Sequence, residues 1–287
     1  IPGILWMRGM QIVNGGQTTA ALYFAKKKEP RIDLSRVRIP AKIIVLRSDD
    51  TEAEENMISA VSRYANSQNT VKQADLSANR PFHVEIEKLA NTSYCPDGAG
   101  RWFYERATGS YNVTLARDGT TPAKLSRIKE TIPTSRKITK TDLAKFLSAW
   151  DQKPDRVSLG SQKNFAAFMD EVDIENSPWP ALPDVNFYKQ MVAKAILFKT
   201  AQKLVRPAFQ AFQANITTYL VALISHRLGN WIDLDKIWQQ QDLSPQFKRQ
   251  MQAWAPEVNR ILHQSASGKM VSEWAKKAEC WEAVRKG

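Results

Sequence analysis

Two cysteines and three histidines in 287 residues leave little material for chemistry that needs them. Cys95 and Cys280 form no CxxC pair, and with His83, His226 and His263 they give no cluster of zinc-ligand spacing. A cysteine-poor chain of this size fits a reducing compartment, where both thiols are ordinary small side chains. The scattered histidines supply no Ser/His/Asp triad. No Asp/Glu cluster has the look of a two-metal site, so no metal ligand is assigned. No run of about 18 apolar residues is present, so a membrane span is not expected. The opening IPGILWMRGM lacks a charged n-region with an apolar run behind it and is not a signal peptide. These absences predict a cytoplasmic protein. A chain that opens on Ile1-Pro2 is also expected to be a piece of something longer.

What is present is ordinary globular material, 43% hydrophobic, with a formal charge of +12. The charge is unevenly spread. Residues 101–156 hold 12 Lys/Arg against 6 Asp/Glu, so half of the excess falls in that stretch. A local basic bias suits a nucleic-acid or nucleotide partner; a solvated, solubilising surface explains it equally. No repeat or low-complexity tract is visible.

The periodicity predicts a strand at Met10–Asn14, a Gly15-Gly16 turn and a helix over Gln17–Lys28, closed by Lys26-Lys27-Lys28 and by Pro30. A second strand is predicted at Ile39–Leu46. Thr51 with Glu54 and Thr70 with Gln73 read as capping boxes of two further helices, the second running to Ala90 with a bend at Pro81. The predicted fold class is α/β, with a parallel strand pair in residues 1–92, followed by a mainly α-helical region. Residues 93–137 read as a basic connecting segment in which RWFYER (Arg101–Arg106) and YNVTL (Tyr111–Leu115) form a hairpin. Residues 138–287 read as helices at 139–150, 184–206, 213–228, 245–263 and 270–285, with a Pro-rich break at Pro178–Pro183.

Three constellations are candidates for binding. The first is Asn14, Gly15, Gly16, Gln17, Thr18 and Thr19. Unpaired N–H groups at a helix start favour an anion, and glycine allows close approach. No Lys follows with P-loop spacing. A tight turn capped by Thr18 or Thr19 is the plainer alternative. The second is Arg63, Asn66, Gln68, Asn69 and Lys72, where amides and cations crowd a helix junction. Such a group can hold a phosphate, a base edge or a hydrated metal ion, or can simply satisfy backbone groups in a turn. The third is Arg101, Trp102, Tyr104 and Arg106, continued by Arg127, Lys129, Arg136, Lys137 and Lys140. Aromatics interleaved with arginine suit base stacking beside phosphate contacts. Strand alternation puts Trp102, Tyr104 and Arg106 on one face and Arg101, Phe103 and Glu105 on the other, so one face in the core and one in solvent is the alternative. Lysines 189, 194, 199 and 203 line a helix that is either polyanion-facing or merely amphipathic.

The strings QIVNGGQTTAAL, YANSQNTVKQADLSANRPFHVEIEKLA, RWFYERATGSY and ITKTDLAKFL, with the Ser158–Phe165 segment, together resemble the AIPR family of bacterial abortive infection phage resistance proteins. The resemblance covers most of the chain and implies a role in phage defence. The strand, Gly-containing turn and helix, followed by Asn-x-Gln entering a second helix, are also similar to the ParB-like nucleotide-binding fold. That likeness gives Gly15, Gly16, Gln17 and Thr18 to a triphosphate, and Asn66 and Gln68 to phosphates and a metal, so Mg2+ with a nucleotide is the implied cofactor. Gln17-Thr18 stand where that fold usually has arginines. A phosphate there would be held by backbone and amide groups, with charge from Arg63, Lys72 or the basic segment. The expected partners are a nucleic acid or nucleotide, a phage protein, or a second copy of the chain. A nuclease or nucleoside triphosphatase activity would need catalytic residues upstream, because no complete catalytic constellation lies in this chain. A non-catalytic sensor or scaffold that recognises a phage protein is the other reading.

Overall fold

A computed structural model describes residues 6, 10, 12, 15–45, 57–58, 61, 77–98, 100–173, 177, 179–180 and 182–287, with backbone alone at 16, 17, 20 and 77. The chain divides into two compact units, Ile1–Lys72 and Gln73–Gly287.

In the first unit, α1 spans Gly16–Lys28, one residue longer than predicted. Its end carries Lys26, Lys27 and Lys28, cations matched to the negative pole of the helix. The two predicted strands are not found among the described residues: 10, 12 and 39–45 carry no regular secondary structure. Ile39, Ile43, Ile44 and Val45 are exposed, so this apolar run is not buried on a sheet. A strand without a hydrogen-bonded neighbour has nothing to hold it extended.

The second unit holds the parallel pair and the helical region. After a 3₁₀ turn at Ser77–Asn79, α2 runs over Pro81–Thr92. Pro81 occupies the first turn and starts this helix, where the sequence suggested a bend; its missing N–H is no loss there. β1 (Phe103–Glu105) and β2 (Lys137–Thr139) pair in parallel, with Tyr104 opposite Ile138. Between them lie α3 (Ser110–Asp118) and α4 (Pro122–Thr131), the helical crossover a parallel pair requires. The predicted hairpin is therefore wrong: Tyr111–Leu115 is helical. The reason is packing at helical spacing, for Tyr111 and Leu115 fall on one face and meet Phe103, Ile128 and Ile132 in a small separate core. Tyr111 also donates to the Ile132 carbonyl at 2.9 Å. At Gly119 the α3–α4 turn leaves no room for a Cβ, which would sit 2.4 Å from the Leu115 carbonyl oxygen.

The remaining helices are α5 (Lys140–Trp150), α6 (Pro154–Ser158), α7 (Ser161–Asp173), α8 (Val185–Ala208), α9 (Gln213–Leu228), α10 (Leu234–Gln240), α11 (Pro245–Ala266), α12 (Val271–Trp274) and α13 (Ala278–Lys286). The predicted last helix is thus two. Thr139 and Asp142 form the capping box the sequence announces. Every residue of α9 from Ile216 to Ser225 is buried, so this helix is apolar on all sides and is enclosed by α5, α6, α8, α11 and α13. Trp179, from the Pro-rich stretch, packs on Phe168 in the same core.

His83 pins α2, β1 and α7 together. Its ring is fully buried, stacked on Tyr104 and on Phe165. Tyr104 Oη lies 2.6 Å from Nδ1, and Met169 Sδ lies 3.2 Å from Nε2. Burial first, then the charges of Lys140, Arg106 and Arg80, push the imidazole down to about 3. Burial also holds the Tyr104 phenol well above its ordinary value, so it keeps its proton. The neutral ring therefore accepts from Tyr104 O–H and turns Nε2–H to the sulfur.

Two outcomes follow from this packing. Leu220 is fully buried in α9, and Leu220→Ala should lower the unfolding free energy by about 2–5 kcal/mol in urea titrations. Because the folded value of His83 is depressed below its ordinary 6.5, its stabilising share is complete above pH 6.5 and is lost as pH falls toward 3. Between pH 7 and pH 5 the wild type should lose about 2 kcal/mol that His83→Gln does not lose; equal losses in the two proteins would contradict the neutral, buried assignment.

Candidate functional site

At the glycine turn, Gly15 takes φ +90°, the left-handed region open to glycine, and sits at the N-cap of α1 with no side-chain cap. Thr19 donates from both its backbone N–H and its hydroxyl to the Gly15 carbonyl, at 3.0 and 3.2 Å. The plainer expectation, that Thr18 or Thr19 caps the helix start, is not what occurs. Both threonines are exposed. The N-cap residue itself thus offers the first amides of α1 no side-chain oxygen. Asn14 and the whole second constellation, Arg63, Asn66, Gln68, Asn69 and Lys72, lie outside the described residues. Asn66 and Gln68, which the ParB-like likeness gives to a metal, are among them.

The third constellation is in the second unit, and its side chains have definite neighbours. Trp102 and Tyr104 are 5% and 3% exposed and belong to the main core; Phe103 belongs to the small core beneath α3 and α4. The alternation of faces is as predicted, but both faces are covered. Neither aromatic ring presents a face to a base. Trp102 instead donates its indole N–H to Gln241 Oε1 at 2.8 Å and lies 5.1 Å beneath the Lys199 ammonium.

Most of the basic residues are engaged in ion pairs. Arg106 pairs with Glu87 at 2.6 Å and also bonds Ala78 O and Asn79. Arg136 pairs with Asp97 at 2.6 Å. Lys137 reaches the buried Glu105 at 3.0 Å, diagonally across the strand pair. Lys140 is buried at the start of α5. Of the lysines on α8, Lys199 donates to the Ser135 and Lys137 carbonyls at 2.8 and 2.7 Å, and Lys194 lies over the Trp150 ring. Burial brings the Lys199 ammonium down to about 8. Lys199 thus ties α8 to the strand pair and Lys194 packs on α5, while Lys203 is exposed.

Arg101 differs. It donates to Asn91 Oδ1 at 2.5 Å, its Nε makes no hydrogen bond, and it meets no carboxylate among the described residues. It opens onto a cleft of about 340 Å³ between α3 and α4, which is also lined by Thr114, Asp118, Lys124, Arg127 and Ile128. Arg127 belongs to the basic run that the sequence marks, but Lys124 is not singled out, nor is the pairing of the two on one helix face. The available signal is their spacing: Lys124, Arg127, Ile128 and Thr131 follow i, i+3, i+4, i+7, one face of a helix. It is hidden because Tyr111–Leu115 has the composition of a strand, which leaves no helix hairpin to expect.

Among the described residues no group of three or more His, Cys, Asp or Glu is placed to hold a metal ion, and no helix is long and apolar enough to cross a membrane. No curated protein and no solved structure matches the chain. A family model described as AIPR protein matches residues 1–266. That span takes in the glycine turn, the strand pair with its helical crossover and the buried α9 core, and it shows that the chain belongs to the AIPR family, the abortive infection phage resistance proteins.

Proposed function

We propose that this protein acts in phage defence by binding a nucleic acid or a nucleotide, with phosphate groups received at the Gly15–Thr19 turn and at the Arg63–Lys72 junction. The observation that carries the reading is the first turn of α1, where a left-handed Gly15 leaves the leading amides without a side-chain cap beside exposed Thr18 and Thr19. Such amides carry partial positive charge and suit an anion. Arginine is absent from the turn, so charge must come from elsewhere. Arg63 and Lys72 of the second motif are the cations this reading assigns to it. Mg2+ would accompany a nucleotide, with Asn66 and Gln68 as its neighbours. A phage-defence role of this kind would be exercised in the cytoplasm.

A second reading has its own support. A basic segment whose Trp102 and Tyr104 lie in the core and whose Arg106, Arg136 and Lys137 are in ion pairs also suits a non-catalytic sensor of a phage protein.

The two are separated by measuring binding of labelled nucleotides, DNA and RNA at low and moderate salt. Under the first reading Gln17→Ala and Arg63→Ala each weaken binding by about tenfold, the loss of one charge-assisted hydrogen bond. No binding to any of these ligands, or binding indifferent to both substitutions, removes it. Capture of a phage protein by the nucleic-acid-free chain would then support the sensor.

A further inference from the structure

The charge of the basic segment can be followed cation by cation. Arg117 pairs with Asp118, Lys137 with Glu105, Lys145 with Asp142, Lys153 and Arg156 with Glu171, Arg106 with Glu87 and Arg136 with Asp97. Arg101, Lys124, Arg127 and Lys129 meet no carboxylate among the described residues. Three of these four, Arg101, Lys124 and Arg127, line one cleft. The single acid in its wall, Asp118, is already held by both guanidinium nitrogens of Arg117, at 2.7 and 2.8 Å. The cleft therefore gathers three cations, two of them solvent-exposed, that meet no carboxylate among the described residues, and their summed positive potential suits an anionic ligand.

The remaining walls suit a phosphodiester. Two guanidinium groups can each grip a phosphate with paired donors, and the Lys124 ammonium adds a point charge whose present partner is only the Thr120 hydroxyl, at 3.4 Å. Thr114 supplies a hydroxyl and Ile128 an apolar floor for a sugar. The volume, about 340 Å³, is at the lower end for a small-ligand pocket and takes about one nucleotide unit. The α3–α4 turn that forms the cleft is packed from below by Tyr111 and Ile132 and has no room for a Cβ at Gly119, so the backbone that carries the donors is set before any ligand arrives.

We infer that the cleft formed by Arg101, Lys124 and Arg127 is a phosphodiester-binding site for a nucleic-acid strand, separate from the glycine turn. The inference rests on nucleic acid being a ligand of this protein, and it assigns a site in the second unit that sequence alone does not identify. Lys129 is exposed on the same helix but does not line the cleft, so it serves as the control for general charge.

The test is fluorescence anisotropy of the full chain with a labelled oligothymidylate at 50 and 200 mM salt. Wild type, Lys124→Glu/Arg127→Glu, Lys129→Glu and Gln17→Ala are compared. Lys124→Glu/Arg127→Glu should weaken binding by about tenfold or more and flatten the salt dependence by the amount expected when about two phosphates are no longer neutralised, while Lys129→Glu, off the cleft, changes affinity only slightly. Equal losses for Lys129→Glu and the double variant mean general charge attraction and overturn the cleft. Loss with Gln17→Ala alone overturns the cleft and leaves the turn standing. Loss with the double variant alone supports the cleft and removes the turn. No binding by wild type overturns both. Binding of a phosphoserine peptide at the cleft with no binding of the oligonucleotide overturns the assignment to nucleic acid.

Discussion

The second unit depends on one strand that is covered on both faces. Trp102, Phe103, Tyr104 and Glu105 are all buried, and such a strand has no solvent side to spare. It pairs in parallel with Lys137–Thr139, and a parallel partner can be reached only through a crossover. The chain supplies α3 and α4 for that crossover, and these two helices then need an apolar surface of their own. They find it on Phe103, while Trp102 and Tyr104 point into the helical core. One short strand thus joins two cores and sets where everything around it can lie.

A strand in that position must also satisfy its polar atoms. Tyr104 donates a hydrogen bond from its hydroxyl to His83, and the His83 ring, kept neutral by burial, turns its own N–H toward Met169. Glu105 is a buried carboxylate, and it is held by the Lys137 ammonium and by the backbone N–H of Tyr111 near the start of α3, where the helix pole favours negative charge. Removing either partner would strand a charge or a donor in the interior, which costs more than the bond itself contributes. The groups that look most chemical in the sequence are therefore committed to holding the strand. The ends of the strand are where side chains emerge. Arg106 emerges against Glu87, and Arg101 emerges against an amide and a cleft.

The helical half of the molecule is legible in the sequence, and for a physical reason. Thr139 with Asp142, Asp184 before α8, and Ser244-Pro245 before α11 are local signals whose hydrogen bonds form within a single turn. The helix at Gly16–Lys28 likewise follows from its glycines and its terminal lysines. The strands are less legible. Ile39–Val45 has the composition of a buried strand, yet its side chains are exposed and it carries no ladder. Tyr111–Leu115 contains Val113 and Thr114, which favour strands, and is overruled by Tyr111 and Leu115 meeting the small core at helical spacing. Strand identity depends on partners far away in the chain, and no local window contains them. The glycine turn is legible as a turn, with Gly15 in the conformation that glycine alone adopts easily.

Charge density is a poor guide to the site, and charge pairing is a better one. Residues 101–156 carry a net excess that a sequence can count, but a count does not separate a cation that binds from one that braces. Arg136 and Lys137 sit beside each other in the chain and both look available, yet Asp97 and Glu105 neutralise them from distant positions. Partly buried pairs of this kind fix geometry while removing positive potential from the surface. The potential that survives is what the pairing leaves behind, and it survives where the helix hairpin between the two strands lifts Lys124 and Arg127 beside Arg101. The same crossover that the buried strand demands is what brings these cations together, so this positively charged recess is a consequence of the strand pairing.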